Sequence, residues 1–539
     1  MPRWALLLLC AAYVLPGMFG RDPWRNADIT AFGYMLSLAE GRSNWLAPSL
    51  GGLYADAALL PHWLGAASIW TLSPWLDTAL AARLPFGLLL ALVLSLTWYS
   101  AFQLARTEAA QPVAFAFGGE AETVDYARAI ADAAVLALIA SLGLLQLGHE
   151  TTPEMAQLFG VSLFLWSTAA APYRVWRSRL GAVAALVIVA GSGAPAVAVA
   201  VGLAGGMVCT YSAYEQARRL VPWIGLGTLG AALLAWALGV WAWRLNRSWN
   251  AEEFLQIGRL WLWFMWPAWL LALWTLWRWR RHLQNRHVSV PLVTVLVALV
   301  SSFAMGGSDR ALLLGLPGLA VLAAFALPTL NRSTTAAIDW FSMILFTLLA
   351  GALWVIYLSV QTGVPAKPAA NIARLGPGFT PQFSLLALLL ALLGTAGWIW
   401  LVRWRTGRHR EALWKSLVLP AGGVALCWLL LMTLGLPMLD YARSNRPIVE
   451  RIARHVPQGQ CIAAPEQPLA LVAALEFFGP YQVDASRGAG QTRCNYLVRV
   501  EPANAARPPP EGWIRIARER RPTDRSNLTM IYRRDGARP

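Results

Sequence analysis

Apolar stretches close to the length of a membrane-spanning helix recur from the first residues of this chain to about position 438, with polar segments between them. In order they lie near 4–20, 81–104, 128–147, 157–172, 180–192, 195–212, 221–243, 258–277, 288–305, 310–327, 337–360, 385–403 and 415–438. About 20 apolar residues in helical form cross the hydrocarbon core of a bilayer. The pattern therefore predicts an all-α polytopic membrane protein with about thirteen transmembrane helices. The two short runs at 180–212 are divided only by "GSGAP", and reading them as one kinked helix would invert the sidedness of everything downstream. The first run, "WALLLLCAAYVLPGMFG", has no small-residue cleavage site before Arg21 and is read as a retained helix rather than a signal peptide.

The polar segments test that count. Basic clusters at 173–179, 216–219, 278–287 and 403–410 sit in short connections, and short connections rich in Lys and Arg stay cytoplasmic. Thirteen spans and a cytoplasmic N-terminus put all four clusters and Arg332 inside, and the acidic connections "HETTPE" and "GGSD" outside. Removing one span would move two basic clusters outside. Residues 1–439 are thus expected to form the transmembrane domain, with a long first outer loop over 21–80. In that loop "SLGGLYADAALLPHWLGAASIW" is amphipathic enough to lie along the interface as juxtamembrane helices. The tail, 440–539, opens with a helical pattern and continues with short β-like runs such as "CIAA", "NYLVRV" and "LTMIYRR". It is expected to be a small extracytoplasmic α/β domain.

Composition agrees. Of 539 residues 57% are hydrophobic and only 13% charged, against about a quarter charged in soluble proteins. The net charge of +16 lies in the short inner connections, which makes it a topology signal and an anionic-lipid contact before it is a nucleic-acid surface. The 29 tryptophans gather at span ends, where indoles favour the interface. Cys10, Cys209 and Cys427 fall in apolar runs; Cys461 and Cys494 fall in the tail and could pair if the tail lies outside the cytoplasm.

No nucleotide-binding loop, zinc-type cluster or Ser-His-Asp arrangement stands out, and four of the six histidines (His282, His287, His409, His455) lie in basic or tail segments. What remains is an outer-face set: Asp22, Arg25, Asp28, Asp56, His149, Glu150, Glu154, Asp309 and Arg310. Each alone could be a solvated loop residue. Together they share one membrane depth, which makes them candidates for a site.

The stretch from "GRDPWRNADIT" through "LAARLPFG" resembles the N-terminal part of membrane glycosyltransferases of the C-type fold, most nearly the aminoarabinose transferase and protein O-mannosyltransferase group. The likeness rests on Asp22 after the first span, "NADI" at 26–29, Trp45 with Pro48, Asp56, and Arg83 with Pro85. Only 21–105 align by motif, although the order of features holds along the chain. The resemblance implies a bacterial inner-membrane enzyme with the C-type fold and a periplasmic α/β domain. It would move a sugar from a polyprenyl-phosphate donor to a lipid, glycan or protein acceptor on the periplasmic side, with inversion by single displacement.

Such a reaction needs a carboxylate to orient and deprotonate the acceptor hydroxyl, and cations to stabilise the departing phosphate. The resemblance gives Asp22 the role of base. It makes Asp56 an expected ligand for a divalent metal ion and Arg310 an expected phosphate contact. Arg25, Asp28, His149, Glu150, Glu154 and Asp309 are expected around the substrate, Asp28 with a second role in supporting the helix that follows it. The chain departs from the family pattern in three places. The acidic pair after the first span is Asp22-Pro23, a family Lys appears as Ala57 or Ala58, and the second-loop Asp-Pro is Thr152-Pro153. His149 and Glu150 could replace the lost acid and ligand, or could be a helix cap and loop polar residues. Two other readings stay open: a flippase or transporter of lipid-linked sugars, and a catalytically degenerate relative.

Overall fold

The computed structural model describes residues 1–24, 26–55, 58–111, 122–241, 250–407, 413–504 and 508–536. Among them, six helices are long and apolar enough to cross a membrane: Thr78–Ala105, Glu215–Ala237, Arg286–Ala304, Arg332–Thr362, Leu385–Thr406 and Lys415–Thr433. Shorter apolar helices, including Arg3–Val14, Pro153–Ala170, Val175–Gly191 and Pro195–Thr210, account for other runs of the sequence. The break expected at "GSGAP" is present. Helix Val175–Gly191 ends there, Gly193 takes a φ of 88° that favours glycine, and Pro195 opens the next helix.

The single span expected over 258–277 is instead two helices, Ala251–Phe264 and Ala268–Arg278, bent by 93°. Pro267 lies in the break, and a proline lacks the N–H that would continue the backbone ladder. The run at 128–147 is likewise divided, into Thr123–Ala140 and Leu142–Leu147.

The chain forms two compact units. The first comprises Met1–Met18, Phe86–Gly351 and Leu389–Leu430. Its helices approach closely through small residues, as membrane helices do where hydrophobic driving force is weak. A Cβ on Gly160 would lie 2.6 Å from Val189 Cγ2, and one on Gly227 3.0 Å from the Val183 backbone, so helices Pro153–Ala170 and Val221–Ala237 both press against Val175–Gly191.

The second unit comprises Phe19–Pro85, Ala352–Leu388 and Leu431–Pro539. Its sheet contains β3 (Cys461–Ala463), β4 (Gln482–Asp484), β5 (Tyr496–Pro502), β6 (Trp513–Glu519) and β7 (Asn527–Arg534), counting after the small hairpin of β1 (Ser49–Leu50) and β2 (Leu53–Tyr54). The strand order is β4-β3-β5-β7-β6, with β3 parallel to β4 and β5 and the rest antiparallel. The tail is therefore a mixed α/β sheet, as the short β-like runs predicted. One core joins helix Ala27–Ala39 and the hairpin of the first loop to the tail helices and sheet, through Ile29, Tyr34, Leu50, Ile448, Val472, Leu475 and Ile531. The hairpin turn needs Gly51 (φ 58°) and Gly52 (φ 81°), the left-handed pair of a tight two-residue turn. Cys461 and Cys494 are bonded, with their Cα atoms 4.9 Å apart.

Candidate functional site

Asp22 sits in the short loop that leads into helix Ala27–Ala39, and the sequence folds that loop tightly. Asp28, in the first turn of the helix and 1% exposed, accepts the Trp24 backbone N–H at 3.0 Å and Arg21 Nη2 at 3.2 Å on one oxygen. Asn26 enters the helix with φ 72°, a conformation Asn tolerates better than most residues. Arg83, in helix Thr78–Ala105, donates to the Arg21 carbonyl at 3.0 Å. Asp28 and Arg83 thus fix the loop from two sides, and Asp28 is engaged within the protein.

The fixed loop offers Asp22 to the polar segment 440–446. Arg446 grips the Asp22 carboxylate with both arms of its guanidinium, Nη2 to Oδ1 at 2.5 Å and Nε to Oδ2 at 2.9 Å, and Ser444 Oγ donates to Oδ2 at 2.8 Å. Such fork-to-carboxylate pairs are among the stronger protein hydrogen bonds. The Asp22 carboxylate holds the Arg446 guanidinium above its usual range by hydrogen bond and charge. Asp440 takes the other side of the loop. Its carboxylate accepts the Asp22 backbone N–H at 3.1 and 3.3 Å and the Trp24 indole at 2.9 Å. Burial, and then the neighbouring Asp22, push Asp440 up to about 6. The Trp24 ring in turn carries the Arg21 and Arg443 guanidinia at 4.6 and 4.9 Å.

A second cluster lies in the other unit. Arg310 donates to Glu150 at 2.7 Å, Glu154 at 3.0 Å and the Thr152 hydroxyl at 3.2 Å. Gln146 donates to the other Glu150 oxygen at 3.0 Å. Local sequence brings these together: Thr152-Pro153 opens helix Pro153–Ala170 with Glu154 in its first turn, while Ser308 caps helix Asp309–Leu313 by accepting the Ala311 N–H. His149 is buried, with its ring nitrogens 2.7 Å from the Leu145 carbonyl and 2.9 Å from the Tyr13 carbonyl, and it packs on Tyr13 and Trp428.

Of the residues singled out in the sequence, Asp22 and Asp28 share the first cluster, and Glu150, Glu154 and Arg310 meet in the second. His149 is adjacent to Glu150 but turned into packing. Asp309 is half-buried beside Arg310. Arg25 and Asp56 lie outside the described residues. Among the described residues no group of three or more His, Cys, Asp and Glu side chains could hold a metal ion. Asp440, Ser444 and Arg446 were missed in the sequence. They stand in "DYARSNRP", which reads simply as the helical opening of the tail, and only its unusual density of charge after an apolar run could have marked it.

No family model matches the sequence, and no curated protein resembles it closely enough to match. Solved structures do. Crystal structures of ArnT from Cupriavidus metallidurans, one bound to undecaprenyl phosphate and one in the apo state, match with TM-scores of 0.61 and 0.62 at 14% identity. Each match covers 98% of this chain, and 96% and 97% of those chains respectively. The likeness spans far more than the 21–105 that align by motif, and it shows that this chain has the ArnT-like C-type fold of a membrane protein.

Proposed function

We propose that this chain is an inner-membrane glycosyltransferase that moves a sugar from a polyprenyl-phosphate donor to a lipid, glycan or protein hydroxyl at the periplasmic face. The observation that carries this reading is a carboxylate, Asp22, fixed amid arginines in the loop that leads into helix Ala27–Ala39, in a chain that matches the ArnT fold over 98% of its length. The donor class is supported by the undecaprenyl phosphate bound in one ArnT structure. The Cys461–Cys494 bond supports an oxidising location for residues 440–539, and with it the thirteen-span topology that leaves the C-terminus outside the cytoplasm.

The reaction follows from the groups present. The acceptor oxygen attacks the anomeric carbon as the bond from that carbon to the phosphate oxygen breaks, and the electron pair leaves with the phosphate. The acceptor proton passes to the Asp22 carboxylate and then to water. Arginine guanidinia of the same cluster offset the charge that grows on the departing phosphate.

The test is turnover in proteoliposomes carrying a pool of polyprenyl-phosphate sugars and candidate acceptors. Asp22→Asn is expected to reduce transfer by about 10²–10⁴ with the fold intact. Unchanged turnover removes Asp22 as the base.

A further inference from the structure

Both oxygens of the Asp22 carboxylate carry donors from segment 440–446. Oδ1 accepts one arm of Arg446, while Oδ2 accepts the other arm and Ser444. The Asp22 side chain is 13% exposed, whereas that of Arg446 is 50% exposed. With both oxygens taken by donors of segment 440–446, an acceptor hydroxyl must displace one of them to hydrogen-bond the carboxylate. Arg446 has support of its own. Its guanidinium lies 4.5 Å over the Phe478 ring, and among the described residues its Nη1 shows no hydrogen bond. Arg310, the cation expected from the sequence to meet a phosphate, is already held by Glu150 and Glu154.

We infer that Arg446 serves two anions in turn: it covers Asp22 while the site is empty, and it passes to a lipid-linked phosphate on binding, which uncovers the Asp22 carboxylate. This rests on the transferase reading above and adds an order to it. No covalent bond changes in the exchange; one guanidinium leaves a carboxylate for a phosphate, which matches its fork equally well. The base is thereby exposed only when a donor is present.

The exchange has an unusual signature. Asp22 and the phosphate compete for one cation, so removing Asp22 should tighten lipid binding. Full-length protein in nanodiscs is titrated with a polyprenyl monophosphate, and folding of every variant is checked by gel filtration and tryptophan fluorescence. Asp22→Asn is expected to bind about tenfold more tightly and Arg446→Ala about tenfold more weakly. Arg446→Lys should fall between, and Asp22→Asn with Arg446→Ala should bind as weakly as Arg446→Ala alone. Unchanged or weaker binding by folded Asp22→Asn, or unchanged binding by folded Arg446→Ala, overturns the exchange. If wild-type protein transfers sugar while Asp22→Asn binds no tighter, the exchange alone falls. If wild-type protein transfers none from any donor pool, the transferase reading falls by itself.

Discussion

The two arginine–carboxylate clusters use the same chemistry with opposite balance. Around Asp22, four arginines (Arg21, Arg83, Arg443, Arg446) accompany three aspartates (Asp22, Asp28, Asp440), and the carboxylate of interest is gripped by one of them, Arg446, with Ser444 beside it. Around Arg310 a single guanidinium is divided between two glutamates. The first arrangement places more arginines than aspartates around one carboxylate. The second has spent its one cation on its own side chains. The resemblance read in the sequence implied Arg310 as a phosphate contact; in the structure Arg310 pairs with Glu150 and Glu154, while Arg446 pairs with Asp22 through Nε and Nη2.

The comparison breaks most visibly at the buried base of the Asp22 loop. Arg21 and Asp28 have side chains 0% and 1% exposed, and removing one partner strands a charge in low dielectric. Arg21→Ala or Asp28→Ala is expected to lower stability by about 3–5 kcal/mol, read as thermal unfolding in detergent. A shift within the scatter of surface substitutions would mean that the loop is not anchored there, and that Asp22 is not fixed. Next in size is the tail that supplies Arg446. Replacing Cys461 and Cys494 with serine opens a loop of 33 residues and is expected to cost about 3–4 kcal/mol. Alkylation of native protein without reductant, followed by mass measurement, should leave both thiols unmodified. Two labelled cysteines would remove the support for an oxidising location.

Legibility in the sequence followed the range of the interactions. Apolar periodicity reports local helix, so the helical class, the "GSGAP" break and the strands of the tail could be read directly. The bend at Pro267 was written in the sequence too, but the surrounding apolar residues masked it because hydropathy does not register a missing N–H. The Arg310 cluster was half legible, since Glu150, Thr152 and Glu154 are neighbours and Arg310 shares their face by topology. The grip on Asp22 was not legible at all. Asp22 and Arg446 are 424 positions apart, and no local rule pairs them. The core joining Ile29 and Leu50 to Val472 and Leu475 brings them together, and it depends on which amphipathic faces find each other.

A smaller effect is expected at Arg310. Its side chain is 25% exposed, so Arg310→Gln should destabilise by about 2 kcal/mol by leaving Glu150 and Glu154 to repel. Adding Glu150→Gln and Glu154→Gln should recover a good part of that loss, measured by thermal unfolding. If transfer collapses in the triple variant although stability returns, Arg310 touches the substrate after all, and the contrast between the clusters narrows.

The finest distinction concerns Asp440, which grips the same loop by its backbone. Burial raises this carboxyl from its ordinary 3.8 to about 6. Between these values the folded chain keeps a proton that the unfolded chain has released, so this group's contribution to stability is complete below about pH 4, declines as pH rises toward about 6, and is flat beyond. Asp440→Asn cannot ionise, and its amide oxygen can still accept the Trp24 indole and the Asp22 N–H. The variant should lack the decline and stand about 1 kcal/mol above wild type at pH 7, a figure discounted for partial exposure. The opposite result carries equal information. If Asp440→Asn is less stable than wild type at every pH from 4 to 8, then the negative charge itself holds Trp24 and Asp22 in place against the surrounding arginines, and the cation excess of this cluster is already used within the protein rather than held for a phosphate.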